Sequence, residues 1–429
     1  MHTHRSTLVV VLVTCAVLWA ATPSGSQAPP PAAVRMIAVE GEGADYWPRW
    51  RGPSGQGLVG DSGYPDRWSA TDNVVWRTPV PGSGNSSPIV WDDHIFLTTG
   101  RDAGRRLFVL AYRRSDGALL WETEVAPGPR ESVHRKNGPA SATPVTDGER
   151  VYASLGGRGL VALDFEGRLL WHTEIGRVAN YHGPAGSPLL YRGRLILYQD
   201  QRGGGFVAAY DTATGAQVWR TARDASVGWG TPVAIRVGDR DEIVVSSQHT
   251  VRAYDPDSGG ELWSCDGNRF EVIPTPVVAA GLVFCTSGRA GPTLAIRPGG
   301  QGDVTRTHVA WSTPRGSPFV PSPIAYDGYL YTVNDMASIV TCFNAATGAV
   351  RWQQRLGRAL REGFSASPVA VDGKLFFTND DGITFVVRAG PDFELLHTND
   401  IGARTLASPA LVDGRWYIRT ENELIAIGR

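Results

Sequence analysis

"AYDTATGAQVW", residues 209–219, and "AYDPDSGGELW", residues 253–263, repeat one order of residue types: a small residue, an acid, a Gly turn and a terminal Trp. The same order recurs as "AYRRSDGALLW" (111–121), "ALDFEGRLLW" (162–171) and "CFNAATGAVRW" (342–352), with a looser copy from "AIRPGG" at 295 to Trp311. A Ser-Pro or Thr-Pro step opens each unit, ending at Pro88, Pro144, Pro188, Pro232, Pro276, Pro323, Pro368 and Pro409. Eight units of about 44 residues follow, and self-similarity at this period marks a repeat architecture.

Within a unit the periodicity is that of strands. "SPIAYDGYLYTVND" (322–335) and "SPVAVDGKLFFTND" (367–380) set short β-branched and aromatic runs on either side of Asp-Gly. Asp-Gly is a strong hairpin signal, because both central residues of a type I′ turn need positive φ. A third run such as "FVAAYD" turns through "TATG" into a fourth that ends on Trp219. Four antiparallel strands form a twisted sheet that cannot cover its own apolar faces, so it must pack on neighbours. The expected fold is all-β: an eight-bladed β-propeller of four-stranded antiparallel blades. Pro suits the first position of a blade, where no N–H is needed. Trp76, Trp121, Trp171, Trp219, Trp263, Trp311 and Trp352 are expected to fill the widening gaps between blades, with each indole N–H on a backbone acceptor.

The A-x-D-x-x-T-G-x-x-x-W pattern resembles the tryptophan-docking motif of the quinoprotein-like eight-bladed propellers, a family that includes PQQ-dependent alcohol dehydrogenases and the outer-membrane assembly factor BamB. The resemblance runs from about residue 47 onward. Unit seven departs from it, carrying Leu396 and His397 where the Trp would stand. The eighth unit stops after a third strand, whereas "TDNVVWRTPV" (71–80) is a lone strand near the front. Joining the two closes the ring and removes an exposed edge. The preceding "YWPRWRGPSGQG" (46–57) reads as an arm packed on the ring.

His4 and Arg5 before "STLVVVLVTCAVLWAA" and a Pro-rich stretch read as a secretory signal peptide over 1–28, followed by a flexible linker over 29–45 and one propeller domain over 46–429. The expected location is periplasmic or secreted. Cys15 ends "LVTC", but Thr14 stands where a Gly, Ala or Ser would be expected and the apolar run continues beyond it, which argues against a lipid anchor. No later stretch approaches the ~20 apolar residues of a membrane span. With 41 basic and 42 acidic residues there is no net field to attract nucleic acid. Cys265, Cys285 and Cys342 give no disulfide framework; a bridge from Cys265 to Cys285 and three small apolar strand residues are both open readings. Asn85-Ser86-Ser87 matches a glycosylation acceptor, a pattern short enough to recur by accident.

Propellers carry ligands on loops around a central channel. The stretches between each terminal Trp and the next Ser-Pro or Thr-Pro supply the candidates His134, Arg135, Asn137, Tyr181, His182, Trp229, Arg269, Glu271, Arg361, Glu362 and Arg404. The resemblance implies two functions. A BamB-like scaffold would take no cofactor and would bind envelope proteins as a monomer. A quinoprotein dehydrogenase would hold PQQ with Ca²⁺ and oxidise an alcohol or sugar. It would need carboxylates for the cation and aromatic or disulfide walls for the quinone, yet the chain has no adjacent Cys pair. No metal-binding or catalytic residue is expected on the scaffold reading. A glycan-binding propeller using Trp229 is the third class.

Overall fold

The Asp-Gly turns decide the hairpins as anticipated. Asp327 and Gly328 have φ of 50° and 79°, Asp372 and Gly373 have 51° and 70°, and Asp413 and Gly414 have 49° and 70°. Each joins a first strand to a second, as Val369–Val371 to Lys374–Thr378. The computed structural model describes residues 33–125, 127–225, 227–269, 271–358 and 363–428, with His2; the rest of the expected signal peptide, including Cys15, lies outside them. Among the described residues there are eight antiparallel blades, seven of four strands and one extended to six. Ala32–Arg429 form one compact unit. Blade 3 is typical, with strands Leu189–Tyr191, Arg194–Gln199, Gly205–Asp211 and Gln217–Arg223. The cores lie between blades: Ile89, Phe96 and Val109 of blade 1 pack on Val151, Ala153 and Val161 of blade 2.

The ring closes as the chain ends predict. Val74–Pro79 pairs antiparallel with Glu423–Ile427, Trp76 opposite Ala426 and Thr78 opposite Leu424, and becomes the fourth strand of blade 8. A second closure runs around the axis. The backbone N–H of each Ser or Thr before the repeat Pro donates to the hydroxyl of its counterpart in the next blade. Ser87 gives to Thr143, Thr143 to Ser187, Ser187 to Thr231, Thr231 to Thr275, Thr275 to Ser322, Ser322 to Ser367, Ser367 to Ser408, and Ser408 back to Ser87, at 2.9 to 3.3 Å. The motif therefore needs a hydroxyl before its Pro, and the eight bonds form an unbroken belt.

The terminal Trp residues bolt adjacent blades together. The indole N–H groups of Trp76, Trp121, Trp171, Trp219, Trp311 and Trp352 donate to backbone carbonyls in the next blade's outer turn, at Arg114, Phe165, Thr212, Pro256, Ala345 and Gly390. The Gly of the motif serves the preceding blade's Trp. Gly259 has φ +73°, and a Cβ there would lie 2.4 Å from the Trp219 ring. Trp263 departs from this pattern, because blade 5 replaces the short turn with an insertion. That insertion lays Gly302–Asp303 parallel to Glu261–Asp266 and adds a single helical turn, Thr305–His308. Trp263 is thereby fully buried and donates instead to Glu242 Oε2, 2.7 Å away in its own blade.

Where blade 7 lacks a Trp, the N-terminal arm fills the seam. His397 Nε2 and Asn399 Nδ2 both bond the carbonyl of Asp66, at 2.5 and 2.8 Å. Trp68 stacks on Phe376 and tilts against Trp416 between blades 7 and 8. Residues 46–57 cross the inner strands at the end holding the Asp-Gly hairpins. Trp47 pairs with Val90, Pro48 O accepts from Thr146, Arg51 donates to Pro323 O, and Gln56 Oε1 accepts from Val278. The axial cavity of about 120 Å³ is thus bounded by Trp50 on the arm and Trp229 on the loops, with belt residues between.

One expectation is corrected. The 29–45 segment is not wholly a flexible linker: Val34–Met36 pairs with Val233–Val237 and extends blade 4, and Gly41–Asp45 forms a 3-10 turn. Met36 is buried in that blade's core, the packing that an alternating Val-Arg-Met permits. Cys265, Cys285 and Cys342 are free and buried, so the Cys265 to Cys285 bridge is not formed. Asn85 donates to Lys136 O at 2.8 Å, and Ser87 of the same tripeptide lies in the belt.

Candidate functional site

Both the segments linking successive blades and the turns joining second to third strands lie on the face opposite the arm. The linking segments of blades 1 to 5 zip together there. His134 N–H donates to His182 O at 3.1 Å, and Asn137 Nδ2 donates to His182 O and Pro184 O at 2.8 and 3.0 Å. Trp229 Nε1 donates to Gly183 O at 2.8 Å, and its backbone N–H to Val272 O at 3.0 Å. These bonds gather the rings: His134 and His182 lie 4.8 Å apart, Tyr181 and His182 4.2 Å, and Tyr181 and Trp229 5.8 Å.

Glu271 is the hub. Its Oε1 accepts from the Tyr181 hydroxyl and lies 3.6 Å from His182 Nε2, and its Oε2 accepts from Arg289 Nε. Arg289 in turn lies over the Phe319 ring at 5.2 Å. Glu271 holds a φ of 45°, and its carbonyl passes so close to Gly288 that a Cβ there would be 2.0 Å away. Burial pushes the Glu271 carboxyl up, but the bonds from Arg289 and Tyr181 outweigh it and hold the group below its ordinary range. Burial, then the bond to Glu271, pushes Tyr181 up to about 12. Burial lowers both His182 and His134, the latter also through Arg135 and Lys136. At neutral pH the group is one carboxylate paired to one guanidinium, with two neutral imidazoles and a neutral phenol.

A second polar group lies beside it. Lys136 Nζ reaches Asp380 Oδ2 at 2.6 Å, a link from the blade 1 to 2 segment to blade 7. Asp335 of blade 6 accepts from Phe319 N–H at 2.6 Å. Burial raises Asp335 to about 6 and also raises Asp380, against the lowering influence of Lys136 on both.

Of the sequence candidates, His134, Asn137, Tyr181, His182, Trp229 and Glu271 come together. Arg269 is exposed, with its backbone N–H donating to Ser287 Oγ and its carbonyl accepting from His249 N–H. Arg135 and Arg404 line a neighbouring cavity, with Arg404 3.8 Å from Glu421. Arg361 and Glu362 lie outside the described residues. Sequence reasoning missed Arg289, Lys136, Asp335 and Asp380. All but Lys136 belong to turns after the second strand, and the recurrent "ND" closing "YTVND" and "FFTND" is the signal that marks two of them.

A family model described as "Outer membrane protein assembly factor BamB" (PQQ_2) matches residues 67–199, 203–299 and 336–427. The chain belongs to this PQQ_2 family. The unmatched stretch between 299 and 336 includes the blade 5 insertion. BamB of Burkholderia pseudomallei (strain K96243) is 29% identical over 227 residues, 52% of this chain and 53% of that protein, so the chain spans about half the length of that relative. BamB from Moraxella catarrhalis has a similar structure, with a TM-score of 0.61 at 14% identity over 83% of this chain and 97% of that one. Quinohemoprotein alcohol dehydrogenase ADHIIG from Pseudomonas putida HK5 gives 0.63 at 12% identity over 91% and 82%. At these identities the structural likeness speaks for the fold.

The fold is shared with a quinohemoprotein alcohol dehydrogenase, and the carboxylates on this face can be set against what Ca²⁺ requires. Both oxygens of Glu271 are engaged by donors, and the carboxyls of Asp335 and Asp380 are buried, with Lys136 on Asp380. A calcium site asks for ionised carboxylates free to coordinate. Among the described residues no group of three or more His, Cys, Asp or Glu could hold a metal ion, and no helix is long and apolar enough to cross a membrane.

Proposed function

We propose that this chain is an exported, non-catalytic propeller that acts as a monomeric binding or assembly scaffold in the cell envelope, BamB-like, with its partner surface centred on Tyr181 and His182 over the buried Trp229. The observation that carries this reading is Glu271: a carboxylate in the middle of the site whose two oxygens hold Tyr181 and Arg289 in place rather than facing a reactant. Such a group orders a surface. General base chemistry would require it to be within reach of a substrate proton with a lone pair to spare. Tyr181, exposed above the buried Trp229, offers the amphipathic aromatic area that protein interfaces favour. The family description, an assembly factor of the outer membrane, supports an envelope protein as the partner.

The test compares two positions of equal exposure, Tyr181 at 45% on the loop face and Val218 at 46% on the outer rim. A photo-crosslinking residue at 181 is expected to give a discrete adduct with an envelope protein in an envelope fraction, and at 218 none. The rival is tested on the same protein with PQQ and Ca²⁺. Stoichiometric uptake with dye-linked oxidation of an alcohol or sugar would replace the scaffold reading by a dehydrogenase.

A further inference from the structure

Arg419 ends the second strand of blade 8, Arg415–Arg419. It is 1% exposed, and no carboxylate pairs with it. Its three hydrogen bonds all leave from Nη1, to Ser86 O, Ser86 Oγ and Thr98 O at 3.1, 2.6 and 2.9 Å. Its Nε is buried with no partner. The edge left over, Nε with Nη2, is the planar fork that takes two oxygens of a carboxylate or phosphate side by side. The blade does not need an arginine here: the same step of the second strand is Thr98 in blade 1, Tyr198 in blade 3, Val333 in blade 6 and Thr378 in blade 7. A buried cation without an anion is costly, and burial, against a small opposing influence of Tyr112, pulls this guanidinium down to about 10.

Arg419 also lines a cavity of about 460 Å³ on the loop face between blades 8, 1 and 2, open enough to admit a small molecule. Arg404 and Arg135 line the same cavity, with Glu421 the one carboxylate there, 3.8 Å from Arg404 and itself 60% exposed. Asn137 adds a buried Oδ1 without a hydrogen-bond donor. We infer that this cavity is a binding site for a small oxyanion, a carboxylate or a phosphate, taken by the Nε and Nη2 edge of Arg419. The cavity borders the Glu271 cluster and shares His134 and Asn137 with it, while Arg419 and Arg404 belong to the cavity alone, and a scaffold or an enzyme could equally carry it.

The test titrates the purified protein with sodium acetate and, separately, with sodium phosphate, at fixed ionic strength in chloride. One of the two is expected to bind saturably and raise the melting temperature; which one identifies the class. Arg419→Lys keeps the charge but loses the fork, and is expected to weaken binding at least tenfold. Wild-type crystals soaked in bromoacetate and in selenate provide a readout that survives misfolding of the variant, with an anomalous peak expected within hydrogen-bond distance of Arg419 Nε. Absence of saturable binding by both anions, or a peak only at other sites, overturns the inference.

Discussion

The backbone N–H of Ser408 donates to the hydroxyl of Ser87 at 3.0 Å, joining the last blade to the first across 321 residues of sequence. It closes the axial belt at the inner strands, as the Val74–Pro79 strand closes blade 8 further out. Both residues are buried, so the donor has no access to bulk water if its acceptor is removed.

Ser87→Ala leaves that N–H unsatisfied and is expected to cost about 1–3 kcal/mol, read as a lower urea midpoint with an unchanged slope. Ser87→Thr keeps the hydroxyl and should recover most of the loss. An alanine variant within about 0.5 kcal/mol of wild type, the range of ordinary surface changes, would show that the belt bond contributes nothing.

Trp219 and Trp68 both fill seams but differ in their polar atoms. The Trp219 N–H donates to Pro256 O at 3.0 Å, whereas Trp68 Nε1 is buried without a partner. Both Phe substitutions remove similar volume, so Trp219→Phe should be the more destabilising by about 1 kcal/mol, the worth of one net hydrogen bond. Equal costs would mean that the indole bond is not part of the docking contact.

Asp335 predicts an unusual pH dependence. Its folded-state value of about 6 lies above the ordinary carboxylate value of 3.8, mainly through burial. The protonated form therefore favours the fold: the contribution is full below about pH 4 and is lost as pH rises through 6. Asp335→Asn, which can still accept from Phe319 N–H, should remove a decline on the order of 2–3 kcal/mol between pH 4 and 7.5. Asp380 shifts the same way and Lys136 faces both, so part of the decline should remain in the variant. Denaturant midpoints at the two pH values decide it, and an undiminished decline would rule out Asp335 as its source.

The blade count and the seam at Trp76 were legible because each is a local pattern repeated eight times or missing once. The belt was not. Ser87, Thr143 and their counterparts stand in plain view before every Pro, but seven of their hydrogen bonds span 41 to 56 residues, the eighth spans 321, and the belt exists only in a closed ring. Arg289, Asp335 and Asp380 went unread because a single polar residue at the end of an apolar strand looks like an ordinary turn. Trp263 followed the motif in sequence but not in its contact, since the acceptor turn it needs belongs to blade 5, where an insertion replaces it. The arm's Trp68 shows the same limit from the other side: nothing near His397 announces that residues more than 300 positions away will fill its seam.

Everything rests on the ring being closed by its own first strand. Hydrogen exchange followed by mass spectrometry on the intact protein tests this directly, by comparing peptides covering 74–79 and 423–427 with those from blade 3. The closed ring predicts that the interior amides of the paired segments are protected as strongly as blade 3 and open only with it. Rapid exchange at 74–79 while blade 3 stays protected would mean an open ring, and would contradict the account.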